Sequence, residues 1–264
     1  MKGLIFYFSG TGTTKLATNY ITSKIKNIEF NFHDMYDKNI PNLDQYSIIG
    51  FSTYAQLFSP PKYVEEFIIN MKIKEKKYAF VFNTYGLING NTLSILGELV
   101  KKKGYKLISG FSLHTPESSP IMIENKITSE NAPNEKEIKK FNEFIEALDS
   151  KIDAINREIE VKEIILKKNK FFILLKSLLE RAKLVSIGEK YVYHEKCIQC
   201  GLCKKVCPYS SICYDEGYPK FNEESCQSCF ICYNRCPKQA IYLKKGIKVH
   251  YANPNKKITK KLEI

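Results

Sequence analysis

Cys197, Cys200, Cys203 and Cys207 stand in a Cys-x2-Cys-x2-Cys-x3-Cys run that ends in Pro208, and Cys226, Cys229, Cys232 and Cys236 repeat the run 29 residues later and end in Pro237. Thiolates at this spacing suit iron–sulfur chemistry. A cubane needs four thiolates converging from different directions. A tight loop with cysteines three apart supplies three, and the fourth must come from elsewhere. Each x3-Cys-Pro cysteine is therefore expected to cross to the other half. Cys197, Cys200, Cys203 and Cys236 then hold one [4Fe–4S] cluster, and Cys226, Cys229, Cys232 and Cys207 hold the second. Loop N–H groups aimed at the sulfurs would tune the potentials. The repeat runs past the ligands: Cys207-Pro208-Tyr209-Ser210-Ser211-Ile212 answers to Cys236-Pro237-Lys238-Gln239-Ala240-Ile241, as expected of one unit duplicated in the chain. Zinc ribbons use separated Cys-x2-Cys pairs, not three consecutive cysteines plus Cys-Pro, twice. The ninth cysteine, Cys213, fits neither run and reads as a buried thiol between Ile212 and Tyr214.

A second chemistry sits at the other end of the chain. Ser9-Gly10-Thr11-Gly12-Thr13-Thr14 follows an apolar run and opens a helical pattern. A helix N-terminus offers free N–H groups and a dipole that favours anions. Glycines let the backbone approach, and the hydroxyls of Ser9, Thr11, Thr13 and Thr14 can donate to phosphate oxygens. The loop has no internal lysine, so it is not a nucleoside-triphosphate loop. Lys15 takes the place of the third glycine of a dinucleotide fingerprint. What remains suits a terminal monophosphate.

These motifs need elements to position them. Leu4–Phe8, Ser47–Phe51, Tyr78–Phe82 and Lys106–Leu113, with Ile28–Phe32 as a weaker run, are short, apolar on both faces and rich in aromatic and β-branched residues. That is the pattern of strands buried on both sides. Helical stretches alternate with them: Thr14–Ile25, Lys62–Met71 and Thr92–Lys103. The alternation predicts an α/β fold with a doubly wound, parallel, five-stranded sheet, whose ligands sit beyond the strand C-termini. Ile138, Phe141, Ile145, Leu148, Ile152, Ile155 and Ile159 step by three and four along a further helix opened by Glu135 after Pro133 and Asn134, and its stripe is expected to pack on the sheet. Residues 161–188 mix Phe171, Phe172, Ile173, Leu174, Leu175, Leu178 and Leu179 with Lys167, Lys168, Lys170, Lys176, Arg181 and Lys183 before Gly188. They read as a basic connecting helix docked between two domains with lysines snorkelling outward, the other reading being a helix on a membrane surface. The expected domains are 1–160, a connector at 161–188, and 189–264, ending in a Lys-rich, frayed tail from Lys256.

Residues 190–243 closely resemble the two-cluster bacterial ferredoxins. The resemblance implies a small pseudo-twofold α+β domain that shuttles single electrons at low potential. Such ferredoxins are usually acidic. Over residues 194–243, Lys196, Lys204, Lys205, Lys220, Arg235 and Lys238 nearly balance Glu195, Asp215, Glu216, Glu223 and Glu224. The N-terminal region resembles the flavodoxin family, whose Ser/Thr-x-Thr-Gly-Asn-Thr loop binds the FMN phosphate. Ser9, Thr11, Gly12 and Thr14 match it, and Thr13 stands where Asn is usual. The resemblance implies that the loops after the third and fourth strands cradle the flavin. These are Ser52-Thr53-Tyr54-Ala55-Gln56-Leu57-Phe58 and Asn83-Thr84-Tyr85-Gly86, with Tyr54, Phe58 and Tyr85 as stacking rings. His114 at the next loop reads as structural. Together the two ends resemble the fused flavodoxin–ferredoxin proteins of anaerobic bacteria.

Composition narrows the function. The chain has 264 residues, 44% of them hydrophobic, a net charge of +13 and nine cysteines, none of them before Cys197. Global disorder and a disulfide framework are excluded. The opening Met1–Phe8 run is too short for a signal peptide, no span approaches a transmembrane helix, and clustered thiols imply the reducing cytoplasm. The basic charge is scattered, with no nucleic-acid reader motif, so nucleic acid is not an expected partner and an oxygen-labile regulatory role ranks last. The expected function is an electron carrier with two [4Fe–4S] clusters and FMN that interconverts one- and two-electron steps. The alternative is an FMN-dependent reductase of a quinone or oxygen species, fed by its own clusters. The partner is a redox protein or a small electron acceptor; oligomeric state stays open.

Overall fold

The structure, a computed structural model, describes all residues except 73–76, 182–187, 252–253 and 264. Strands β1 (Lys2–Tyr7), β2 (Glu29–Asp34), β3 (Ile48–Tyr54), β4 (Tyr78–Tyr85) and β5 (Lys106–His114) form one all-parallel sheet in the order β2-β1-β3-β4-β5. That is the strand order of flavodoxin-like folds. Helices α1 (Thr13–Lys24), α2 (Lys62–Asn70), α3 (Thr92–Lys102), α4 (Pro120–Glu124) and α5 (Glu135–Asn156) accompany it. Alternate side chains of each strand feed two cores. Ile5, Phe80 and Phe82 join Ile21, Phe141, Ile145 and Leu148 on the α1 and α5 side. Leu4, Phe6, Phe51 and Val81 join Val64, Ile68, Leu96 and Val100 on the α2 and α3 side.

Helix α5 starts on a capping box: the Asn134 side chain accepts from the Glu137 N–H at 3.0 Å, and the Glu137 carboxylate accepts from the Asn134 N–H at 2.7 Å. It ends before the apolar stripe does. Arg157 is its C-cap and Glu158 turns left-handed at φ 60, so Ile159, expected on the packed face, is exposed.

Helix α6 (Lys170–Arg181) docks on one side only. Phe172 meets the Phe58 ring at 5.3 Å and Lys176 donates to the Ser59 hydroxyl at 2.8 Å. Phe171, Ile173, Leu174 and Leu178, apolar residues of the expected docked connector, face solvent. The part of that connector at 182–187, Lys183 included, lies outside the described residues.

The C-terminal region is built twice. Strand β6 (Lys190–Val192), α7 (Leu202–Lys205) and β7 (Ile212–Asp215) recur as β8 (Tyr218–Phe221), α8 (Ile231–Asn234) and β9 (Ile241–Leu243). Strand β6 pairs antiparallel with β9, and β7 with β8, so each two-stranded sheet takes one strand from each half. Cys213 lies exposed on β7, against the expectation of burial. Strand alternation explains it: its neighbour Ile212 takes the inward position. The tail is not frayed either. Helix α9 (Lys256–Lys261) returns to the first domain, where Ile258 and Leu262 are fully buried in the α1 and α5 core. Lys257 pairs with Glu130 at 3.1 Å, and Lys261 donates to the Asn131 and Pro133 carbonyls.

Candidate functional site

The cysteines gather around two cavities. Cys197, Cys200, Cys203 and Cys236 line one, and Cys207, Cys226, Cys229 and Cys232 line the other. Among the described residues no three His, Cys, Asp or Glu side chains are arranged to hold a single metal ion. Backbone N–H groups aim at sulfur at the same place in both halves, from Ser211 to Cys207 at 3.4 Å and from Ala240 to Cys236 at 3.3 Å. Tight turns bring the donors in: Gln199 and Ser228, and Ser210 and Gln239, all take left-handed φ near 50.

Burial separates the two sets. Helix α7 buries none of its residues and Cys200 is exposed, whereas all four residues of α8 are buried, Cys232 among them. Burial pushes the Cys229 thiol up to about 12 and the Cys232 thiol well above its ordinary value. Such thiols are neutral on their own, so a metal must displace their protons on binding. Beside this set lies Lys190, whose Nζ is 3.2 Å from the Cys226 sulfur and 3.3 Å from the Glu223 carboxylate. Burial opposes its charge, but Cys226 and Glu223 outweigh that and hold its pKa above the usual lysine value.

A third cavity, of ≈ 260 Å³, opens beyond the C-terminal ends of the first domain's strands. Gly10, Thr11, Thr13 and Thr14 form its floor, and Tyr54, Ala55, Gln56, Leu57 and Phe58 one wall. Thr84, Tyr85 and Gly86 form another, together with the stretch from Thr115 to Ser119. Gly12 is the left-handed N-cap of α1 at φ 86 and has no side chain to cap the helix; Ser9 takes the Lys15 N–H, and the Thr13 and Thr14 N–H groups at the cavity floor have no intrahelical partners. Thr14 and Thr84 hydroxyls meet at 2.8 Å and tie the loop to β4. Tyr85 stacks on His114 at 5.1 Å, and Glu137 holds the His114 ring at 2.8 Å, so the histidine has the structural place expected of it. Gly86 is required by close approach: a Cβ there would lie 2.3 Å from the Glu117 carboxylate, which in turn accepts the Leu87, Ser118 and Ser119 N–H groups.

Four of the sequence-predicted residues do not line this cleft. Ser9 accepts the Lys15 N–H at 3.3 Å, and Gly12 lies against Pro254. Thr53 is fully buried in β3, and Asn83 is engaged by Asn89 at 2.8 Å and Ser112 at 2.7 Å. Sequence reasoning in turn missed the third wall, which comes from the other domain: Ser228, Cys229 and Phe230. Three buried polar atoms on the cleft residues, Tyr54 Oη, Gln56 Oε1 and Ser228 Oγ, have no hydrogen-bond partner among the described residues. Buried polar atoms are normally paired, so these mark a place for a polar ligand.

The domains meet around that wall. Arg235 donates to the Gly10 carbonyl at 2.8 Å and the Ser9 carbonyl at 3.3 Å, beneath the hydroxyl-rich loop. Asn234 donates to the Ser118 carbonyl at 3.0 Å, and Tyr251 meets the Thr13 hydroxyl at 3.2 Å. Phe8 stacks on Tyr54 and Tyr63, and Tyr36 donates to the Val206 carbonyl at 3.0 Å, next to Cys207.

Comparison with known proteins bears on both domains. Residues 190–213 match the 4Fe-4S binding domain family. The chain joins a flavodoxin-like fold to a ferredoxin-type 4Fe–4S segment. No curated protein sequence matches significantly. Among solved structures, a flavodoxin from the domain Archaea is similar at 17% identity and TM-score 0.42, covering 58% of this chain and 99% of that one. The two-electron reduced flavodoxin of Megasphaera elsdenii is similar at 22% identity and TM-score 0.37, covering 42% and 84%. Rubredoxin oxygen:oxidoreductase of Desulfovibrio gigas is similar at 12% identity and TM-score 0.44, covering 58% of this chain and 36% of that one. The flavodoxin-like assignment rests on the strand order, and the ferredoxin-type assignment on the family match and the cysteine runs. Among the described residues no helix is long and apolar enough to cross a membrane.

Proposed function

We propose that this protein is an electron-transfer iron–sulfur flavoprotein, with a [4Fe–4S] cluster at each cysteine foursome and FMN in the cleft. The observation that carries the reading is the shared wall: Cys229 lines both the cleft and the buried cysteine cavity. Cys207, Cys226, Cys229 and Cys232 would hold the cleft-side cluster, and Cys197, Cys200, Cys203 and Cys236 the outer one. Thr11, Thr13 and Thr14, with the N-terminus of α1, would hold the phosphate of FMN. Tyr54, Gln56 and Ser228 carry the unpaired atoms that would meet its polar edges. Bound there, the flavin supplies storage for one or two electrons while the clusters supply single ones.

The chain's own residues set the path and exclude water. Phe230 and Ile231 are buried between the domains, and the Tyr54 phenol, raised well above its ordinary pKa by burial, stays neutral. Arg235 fixes the phosphate loop to α8 and so keeps the distance between the two sites constant. Fusing the carriers makes transfer between them independent of concentration. The test is an anaerobic count of flavin, iron and sulfide on the purified chain. One FMN with about eight irons and eight sulfides, the load of two cubanes, is the expected result. Zinc in place of iron, or iron with no affinity for FMN, would overturn it. A small-acceptor reductase is the second reading, favoured by Leu87 and Ile88, which are exposed on the cleft wall. Fast, saturable turnover with one acceptor would select it.

A further inference from the structure

Lys190 puts a buried charge into the second domain. Its side chain is 1% exposed. An ammonium has three donors, and all three are committed: to the Cys226 sulfur at 3.2 Å, to the Glu223 carboxylate at 3.3 Å and to the Gly188 carbonyl at 3.0 Å. The same ammonium sits over the Phe230 ring at 5.7 Å. Packing alone does not call for a cation here, and the chain itself carries the control. The internal repeat maps Lys190 of β6 onto Pro219 of β8. Pro219 is buried in the same place and lines the other cysteine cavity, yet proline offers neither a charge nor an N–H. Glu223, the partner of Lys190, maps onto His194, which instead stacks on Tyr218 at 3.8 Å. One cavity therefore has a buried cation bonded to a ligand sulfur, and its twin has an imino acid.

We infer that Lys190 raises the reduction potential of the cleft-side cluster above that of the outer cluster, so that electrons entering at the exposed cluster collect beside the cleft. The inference rests on the proposed cluster sites. Reduction adds one negative charge to a cluster. A fixed cation and an N–H···S bond stabilise the more negative state more strongly; net charge and hydrogen bonds to sulfur are two of the levers that set such potentials, and here they must outweigh a third, the solvent exposure of the outer set. Glu223 opposes the effect, but it is partly open to water, which screens it, whereas Lys190 is sealed against the sulfur. The result is a one-way bias. The outer set, with exposed Cys200, is the entry port, and the set that shares Cys229 with the cleft is the sink.

The test is a potential-controlled titration of the holoprotein, followed by low-temperature electron paramagnetic resonance, on wild type, Lys190→Met and Lys190→Arg. Wild type should show two separated midpoints. In Lys190→Met the higher one should fall, lowering the equilibrium preference for the cleft-side cluster at least tenfold, or about 59 mV for a one-electron couple. The lower midpoint should stay in place, and Lys190→Arg should restore most of the separation. Lys190→Gln, which keeps a donor without the charge, is read in the same way should the Met variant not fold. Coincident wild-type midpoints, or two intact clusters that ignore Lys190, would overturn this inference and leave the cluster assignment standing. A wild-type chain that takes up no iron and sulfide would overturn both.

Discussion

The two halves of the ferredoxin-type domain share their cysteine spacing, their strands and their tight turns, and they part company where one half meets the flavodoxin-like domain. Lys204 and Lys205 in the outer half answer to Tyr233 and Asn234 in the inner half, one buried and the other bonded across the domain interface, whereas Val206 and its counterpart Arg235 both hydrogen-bond across it. Gly201, the left-handed N-cap of α7 at φ 76, answers to Phe230 at φ 54. A left-handed non-glycine residue is strained by roughly 1–2 kcal/mol. The inner half tolerates that strain at a side chain that, with its neighbour Cys229, lines both the cleft and the inner cysteine cavity. Strain of this kind collects at functional positions. The comparison teaches that duplication supplied two equal ligand frames, and that fuller contact with a second domain made one of them different.

The largest effect should come from cutting one ligand in each half. Cys229→Ala removes the cleft-side cluster, and transfer to the flavin then becomes bimolecular, a loss on the order of a hundredfold or more. Cys200→Ala leaves the cleft-side step at its wild-type rate once that cluster is reduced directly by dithionite. Single-turnover absorbance measures both, and equal losses would break the asymmetry. A smaller effect is expected from exchanging the two caps. Phe230→Gly relieves the strain but removes a buried ring worth about 3–5 kcal/mol, for a net loss of ~2 kcal/mol in urea unfolding. Gly201→Ala meets only the Tyr214 hydroxyl, at an ordinary contact distance of 3.6 Å, but takes on the left-handed penalty, a loss of ~1 kcal/mol. The smallest effect is a pH dependence. Burial pushes the Tyr233 phenol up to about 12. Its folded value lies above the unfolded one, so its contribution is complete below pH 10 and is lost as pH rises through 12. Tyr233→Phe gives up the hydrogen bond to the Ile247 carbonyl, about 1 kcal/mol at pH 7, and that gap to wild type should close between pH 10 and 12 in thermal melts.

Much of the fold was legible because it is encoded locally. Apolar runs such as Leu4–Phe8 and Tyr78–Phe82 announce strands buried on both faces, and the crossed cysteine sets follow from loop reach. What was not legible depends on long-range contact. Nothing in the run Ser228-Cys229-Phe230 says that it walls a cleft whose other residues, Gly10 to Met122, lie in the first half of the chain, although Phe230 in the place of Gly201 is a visible departure from the repeat. Lys190 in the place of Pro219 is another. Ile258 and Leu262, four apart in a Lys-rich tail, are the signal that the C-terminus docks as a helix. Cys213 follows from parity: with Ile212 inward, the next residue of a hairpin strand points out. Helix α6 keeps Phe171, Leu174 and Leu178 in solvent because only its Phe172 side finds a partner in Phe58.

The central claim is that cysteine cluster and cleft work as one intramolecular circuit. Anaerobic rapid mixing of the oxidised holoprotein with dithionite, recorded at flavin and cluster wavelengths over a range of protein concentrations, tests it most directly. The account predicts cluster reduction followed by a flavin phase whose rate does not change with protein concentration. A flavin phase that scales with protein concentration, or flavin and clusters that change independently, would contradict it.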